Sequence, residues 1–159
     1  MIARTKLKEA VSIWVKNILN ATEKYKNTPV GGAFSKKKTY PHIAVIVIKE
    51  NPITNAANGM IGYDNITGDT AILYVSDFTI GIEVLAEIDE ESVGIAEIIV
   101  DKIRDGVYIP ISDDIDIQKV YDEINISEAT VKKMGDFKVF SSIVSVDIRV
   151  KNIKIKQGD

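Results

Sequence analysis

The sequence predicts an α+β fold in a single domain that spans residues 1–159. Its composition, 45% hydrophobic and 27% charged over 159 residues, is typical of one soluble globular domain. Its 27 isoleucines and 16 valines far outnumber its four leucines, and this excess of β-branched residues favours strands. Two segments nevertheless carry apolar residues at helical spacing, so we expect a sheet combined with helices.

The first predicted element is an amphipathic helix over about residues 3–25. Its apolar residues recur at intervals of three and four, which is the spacing of one helix face. They are Leu7, Val11, Trp14, Val15, Ile18 and Tyr25. We expect Trp14 to pack in the core, and we expect the helix to fade before Pro29.

A basic loop should follow, over residues 31–38. Its glycine pair and its three consecutive lysines disfavour a fixed conformation, so we expect it to be exposed and mobile. The segment lacks the glycine and lysine spacing of a P-loop. Lys36, Lys37 and Lys38 could instead contact a phosphate backbone or an acidic protein surface, and Phe34 could anchor an interface.

The middle of the chain reads as strands followed by a second helix. Residues 40–49 are apolar at most positions and predict a strand that is buried on both faces, whereas residues 50–70 predict a long loop or a short hairpin. Residues 70–76 and 78–88 predict two further strands, and the alternation in the second indicates a sheet with one covered face. Acids at 89–91 and an apolar stripe predict a helix over about 90–105.

The last third of the chain is less regular. Residues 107–136 predict short strands and loops in an acidic tract. Residues 137–155 alternate between apolar and polar side chains and predict a long strand, which could add to the sheet of a neighbouring molecule.

The candidate catalytic and metal-binding residues are few. His42 is the one histidine and there is no cysteine, which excludes histidine triads, multi-histidine metal sites and cysteine nucleophiles, and we expect a structural role for His42. Asp113, Asp114 and Asp116 could bind a hard cation such as calcium or magnesium, but they lack EF-hand spacing and fit a solvated acidic loop better. We therefore expect no catalytic residue, no cofactor, no metal and no enzyme activity.

The charges are segregated along the chain. Residues 1–50 carry a net +7, residues 51–136 a net −13 and residues 137–159 a net +3. Such asymmetry indicates either an electrostatic partner or self-association that brings unlike surfaces together. The alternative is that the two ends fold over the acidic middle and neutralise it within one molecule.

No stretch is long and apolar enough for a membrane-spanning helix, and the charged first segment does not fit a signal peptide. The sequence therefore predicts a cytoplasmic protein that does not bind membranes.

The order of elements resembles that of the tail-terminator and head-to-tail joining (neck) proteins of tailed phages and related contractile tail systems. The features that carry the resemblance are the N-terminal amphipathic helix, the strand YPHIAVIVIK at 40–49, the strand FTIGIEVLAE at 78–87 with the helix SVGIAEIIVDKIR at 92–104, and the closing strand at 137–150. The acidic stretch 107–136 departs from the pattern expected of that family.

The resemblance implies a mixed or antiparallel sheet with two amphipathic helices packed on one face. It also implies a structural virion protein, assembled in the host cytoplasm as a hexameric ring that caps the tail tube and joins it to the head. The implied partners are further copies of the chain, tail-tube proteins and head-connector proteins, and a transient contact with DNA passing through the ring is left open. Lys36, Lys37, Lys38, Phe34, Asp113, Asp114 and Asp116 are the candidate interface residues.

Two other functions stay open at this point. One is a small cytoplasmic module that binds a ligand or a metal ion through Asp113, Asp114 and Asp116. The other is a nucleic-acid-binding module that uses Lys36, Lys37 and Lys38, although the acidic middle would repel a duplex.

Overall fold

A computed structural model describes residues 4–31, 40–52, 59–105, 108–112, 115–127, 130–134 and 136–158. These residues form two helices and an antiparallel sheet, which confirms the predicted α+β class. The helices are α1 (Arg4–Asn20) and α2 (Asp89–Asp105). The strands are β1 (His42–Pro52), β2 (Gly59–Tyr63), β3 (Thr70–Ala86), β4 (Tyr108–Ser112), β5 (Ile115–Ile126), β6 (Thr130–Met134) and β7 (Phe137–Lys156).

Two long strands form the centre of the sheet. β3 and β7 pair antiparallel from Thr70 opposite Lys156 to Ala86 opposite Phe140. On the other side of β3, β2 pairs with its first part and β1 with the rest. On the other side of β7, β6 pairs with its first part and β5 with a later part. β4 pairs with β5 and is the last strand on that side of the sheet. β7 is therefore paired on both sides over most of its length, whereas residues 153–156 pair with β3 alone within the described part of the sheet. The expectation that the closing strand adds to a neighbour's sheet stays a prediction.

The hydrophobic core lies between one face of this sheet and the helices. α2 packs over β7 and β3, and α1 contacts β1, β4 and α2. From the sheet, Phe78, Ile80, Ile82 and Val84 contribute to the core, and Ile95, Ile99 and Ile103 contribute from α2. Ser92 extends the contact, because its Oγ donates to the Val84 carbonyl at 3.1 Å and lies 2.7 Å from Ser142 Oγ.

The first helix is shorter than its apolar spacing predicts. α1 ends at Asn20, and the chain continues in tight turns through Asn27, with bonds such as Thr22 N–H to Leu19 O at 2.9 Å. Tyr25 is nevertheless buried, because the turns keep it against the core. Trp14 is half-buried and packs against the core cluster, as expected.

Two strand predictions also differ from the structure. The segments 70–76 and 78–88 form one continuous strand, because Asp77 at the expected break is held in the ladder by an ion pair with Arg149. In β1, the outer part is more exposed than predicted, with Ile48 at 52%, because no described helix covers that face of the sheet. Residues 59–73 form the short hairpin that was one of two expectations.

No helix in the described ranges has both the length and the apolar character needed to cross a membrane.

We expect the α2 contact to contribute much of the stability. Replacing Ile95, which is fully buried, by alanine should lower the free energy of unfolding by about 2–5 kcal/mol, because the change removes buried methyl groups and leaves a cavity. Urea unfolding measures this loss, with Ile66→Ala as the control. Ile66 is 95% exposed, so its truncation should cost no more than about 0.5 kcal/mol. A loss below ~1 kcal/mol for Ile95→Ala would contradict the packing described.

Candidate functional site

The predicted interface residues lie mostly outside the described part of the chain. Phe34, Lys36, Lys37 and Lys38 fall within residues 32–39, and Asp113 and Asp114 fall between β4 and β5, so all six are outside the described residues. Asp116 lies in β5, where its backbone is opposite Pro110 of β4 on one side and Lys151 of β7 on the other.

Residues 29–31 lie next to the start of β1, at its edge. Gly31 N–H donates to the Ile43 carbonyl at 2.7 Å, and Ile43 N–H donates to the Pro29 carbonyl at 2.9 Å, in a parallel bridge. His42 is buried, and its Nε2 contacts the carbonyl oxygen of Gly31. This position fits the structural role expected of His42.

A pocket of about 200 Å³ lies beside this edge, at the end of the sheet where β3 leads into α2. We call it the basal pocket. Its walls come from the turns after α1, from the residues before β1 and from the first turn of α2. The lining residues are Glu23, Lys24, Tyr25, Lys26, Asn27, Thr28, Pro29, Tyr40, Pro41 and Glu91.

The ion pairs show how the segregated charges are arranged in the folded chain. Two pairs, Arg4 with Glu50 at 3.8 Å and Lys26 with Glu23 at 2.9 Å, stay within residues 1–50. Lys132 pairs with Glu83 within the acidic middle at 2.6 Å, and Arg149 of the C-terminal segment pairs with Asp77 at 2.9 Å. Among the described side chains, no ion pair joins the basic N-terminal segment to the acidic middle.

The sheet face that lies away from the helices carries a row of polar contacts between β3 and β7. Arg149 donates to both carboxylate oxygens of Asp77, at 2.9 and 3.1 Å, and Thr79 Oγ1 donates to Asp147 at 2.6 Å. Farther along the same face, Glu83 is only 4% exposed. Its carboxylate accepts from Ser141 Oγ at 2.6 Å and pairs with Lys132.

These polar contacts were not predicted from the sequence. The alternation in β3 indicates which residues share a face with Glu83, but Ser141 and Lys132 are 58 and 49 positions farther along the chain. A charged residue between two apolar neighbours in a strand was the available signal, because such a residue is seldom fully buried without a partner.

Metal binding has no support within the described residues. No group of three or more His, Asp or Glu side chains comes together there in a way that could hold a metal ion. The proposed acidic triplet is mostly outside this part of the chain.

Comparisons with known proteins do not identify the chain. No family model and no curated protein match it. One matching solved structure, which has no descriptive name, aligns over 94% of this chain and 96% of its own, with 13% identity and a TM-score of 0.45. A likeness this weak carries no argument about function.

The buried Glu83 carboxylate gives a prediction about stability. Lys132→Met should lower the free energy of unfolding by roughly 1–3 kcal/mol, because a buried carboxylate would keep only one hydrogen bond. Adding Glu83→Gln to that variant should restore part of the loss, because the uncompensated charge is removed. Lys26→Met is the matched control: its pair with Glu23 is exposed, so the loss should stay below ~1 kcal/mol. Equal losses for Lys132→Met and Lys26→Met would show that the burial of Glu83 does not change the free energy of unfolding.

Removal of metal ions gives a second prediction, directed at the acidic triplet. The melting temperature should not change on addition of EDTA, since no cation is expected to contribute to folding. Differential scanning fluorimetry checks this. A fall of several degrees that calcium or magnesium reverses would instead favour a cation site at Asp113, Asp114 and Asp116.

Proposed function

We propose that the chain is a structural subunit that assembles into a closed ring through contacts between basic and acidic surfaces of neighbouring copies. The observation that carries the proposal is the arrangement of ion pairs. Among the described side chains, the basic N-terminal segment makes no ion pair with the acidic middle of its own chain. The charges of the two segments that are not in these pairs are therefore available for contacts with another molecule.

Opposite charges on different parts of one subunit favour a particular kind of assembly. Residues 4–31 contain six Lys or Arg and two Asp or Glu, whereas residues 59–101 contain ten Asp or Glu and no Lys or Arg. Two like surfaces would repel in a face-to-face dimer, but unlike surfaces attract in a head-to-tail contact. A head-to-tail contact repeated around an axis closes into a ring.

The fold is compatible with the role suggested by the resemblance. Two helices on one face of an antiparallel sheet are the arrangement expected of a tail-terminator or neck protein. In that role the ring would contain six copies, cap the tail tube and meet head-connector proteins, with the virion as its location. Within the described residues, β1 beyond its bridge at Ile43 and β4 are the outermost strands, and they and the sheet face away from the helices offer surface for such neighbours.

The ring is tested by the mass of the protein in solution. Light scattering after size exclusion should give a multiple of the 17.5 kDa chain mass, and assembly should slow as salt is raised from low to physiological concentration. Exposed charge pairs contribute about 0–1 kcal/mol each and are screened beyond roughly 8 Å, so salt should affect the rate more than the final stability.

Charge reversal tests the same proposal from the basic side. Changing Lys36, Lys37 and Lys38 together to glutamate should slow or abolish assembly, if this segment meets an acidic neighbour. A chain that stays monomeric at high concentration, at low salt and with tail tubes present would rule out the ring.

A further inference from the structure

Two lysines lie directly opposite each other in the hairpin formed by β6 and the start of β7. Lys133 of β6 is paired with Lys138 of β7. Both side chains are exposed, and neither makes an ion pair with another described side chain. Like charges that face each other across two strands destabilise a sheet. The fold of one molecule does not explain this pair, whereas a negatively charged partner would relieve its repulsion.

The lysines share their face of the hairpin with an apolar pair. Val131 is opposite Phe140, and the alternation of strand residues places both on the same face as the lysines. Val131 is 47% exposed, and Lys138 Nζ lies 5.9 Å from the centre of the half-buried Phe140 ring. This is the face on which α2 packs, because Ser142, two residues after Phe140, contacts Ser92. We call Val131, Lys133, Lys138 and Phe140 the lysine patch.

The rest of the hairpin does not neutralise the lysine patch. Lys132 lies on the opposite face, where it pairs with Glu83 at 2.6 Å. Asp136 follows β6 and is exposed, but it makes no ion pair with a described lysine. The patch therefore keeps two positive charges that no described carboxylate compensates.

The outer surface of α2 carries the opposite charge. Glu97, Asp101 and Asp105 recur every four residues, so they share one side of the helix, and Glu90 lies on that side nearer the N-terminus. All four are exposed, and no ion pair within the described ranges involves them. Acids four residues apart repel each other and destabilise a helix. The exposed basic residues of α2, Lys102 and Arg104, do not pair with them.

A glycine interrupts this row of acids. Gly94 lies four residues after Glu90 and three before Glu97. A Cβ atom there would come within 4 Å of no described atom outside its own part of α2. Glycine is less favourable than alanine inside a helix, and packing within this molecule does not require it here. The helix backbone is thus open to the approach of another molecule. We call Glu90, Gly94, Glu97, Asp101 and Asp105 the acidic stripe.

The lysine patch and the acidic stripe match in spacing as well as in charge. Directly opposed residues in an antiparallel pair have Cβ atoms about 4.5–5.5 Å apart, and residues four apart on a helix have Cβ atoms about 5–6 Å apart. The two lysines of the patch can therefore face Glu97 and Asp101 at the same time. Gly94, one turn before Glu97, leaves open surface beside this contact for the apolar pair of the patch.

We propose that the lysine patch of one copy binds the acidic stripe of the next, with its two lysines paired with Glu97 and Asp101. The occupant is a second copy because each copy carries both surfaces, and one contact relieves the repulsion among the lysines and among the acids. Contact between unlike surfaces is head-to-tail, as in the proposed ring. The inference rests on that ring and names one contact within it, made in addition to those of the N-terminal segment.

Charge reversal on each side tests the contact by light scattering. One variant combines Lys133→Glu with Lys138→Glu, and the other combines Glu97→Lys with Asp101→Lys. Each alone should stay at the 17.5 kDa mass of one chain where the wild type assembles. A mixture of the two should assemble, because alternating copies again place lysines opposite carboxylates at every contact. A mixture that stays monomeric would overturn the proposal.

The matched control reverses two exposed charges of α2 outside the acidic stripe. Lys102→Glu combined with Arg104→Glu should assemble like the wild type, since neither residue belongs to the contact. Assembly of either variant from the preceding test alone, at the wild-type concentration, would overturn the contact and leave the proposed ring standing. Loss of assembly in the control as well would also overturn it, because the effect would then be one of net charge.

A substitution at the glycine separates docking from folding. Gly94→Leu should not lower the melting temperature, because leucine favours a helix more than glycine does. It should nevertheless raise the concentration needed for assembly, since the new side chain stands between the two surfaces. Assembly of this variant at the wild-type concentration would contradict the approach of the lysine patch to this position.

Carbodiimide coupling tests the contact without requiring a stable ring. The reagent joins a lysine amine to an adjacent carboxylate as an amide and takes up the released water as a urea. In an equal mixture of isotope-labelled and unlabelled wild-type chains, we expect mixed-isotope peptides that join Lys133 or Lys138 to Glu97 or Asp101. Amides within single chains only, or mixed-isotope amides to other carboxylates only, would overturn the contact whether or not the wild type forms rings.

Discussion

The antiparallel pairing of β3 with β7 is the constraint on which the rest of the structure depends. The two strands are paired from Thr70 opposite Lys156 to Ala86 opposite Phe140, and the sheet order is built outward from them. Their length separates the turn before β3 from the pocket near its end. In the described sheet, this long central ladder also places β1 and β4 outermost, with Val30 bridged to Ile43 at the edge of β1.

The register of this pairing is specified from both faces. On the covered face, Ile80 is opposite Val146 and Ile82 is opposite Val144, and all four are buried against the helices. On the other face, the same register places polar partners together, such as Asp77 with Arg149. A slip of one residue would move apolar side chains to the uncovered face and separate the polar partners. The side chains on each face therefore disfavour a slipped register.

The proposed assembly depends on the charges and the apolar side chains that this arrangement leaves at the surface. Helices cover one face of the sheet, no ion pair among the described side chains joins the basic segment to the acidic middle, and Ile66 in the turn before β3 is 95% exposed. Charge acts over a distance and selects the orientation of an approaching copy, whereas contact between apolar groups acts at short range and holds it.

The sequence by itself determined the α+β class, the helix at about 90–105 and the long closing strand, because side-chain periodicity is local information. It also showed the charge segregation and the absence of cysteine. Only the tertiary structure decided that α1 ends at Asn20, that Asp77 continues β3, and that Glu83 is buried with Lys132 and Ser141. The basal pocket likewise combines residues 23–29 with residues 40, 41 and 91. These features require side chains that are far apart in the chain to meet. Local periodicity predicts which residues share a face of one helix or strand, but it does not specify which residue of another element packs or pairs there.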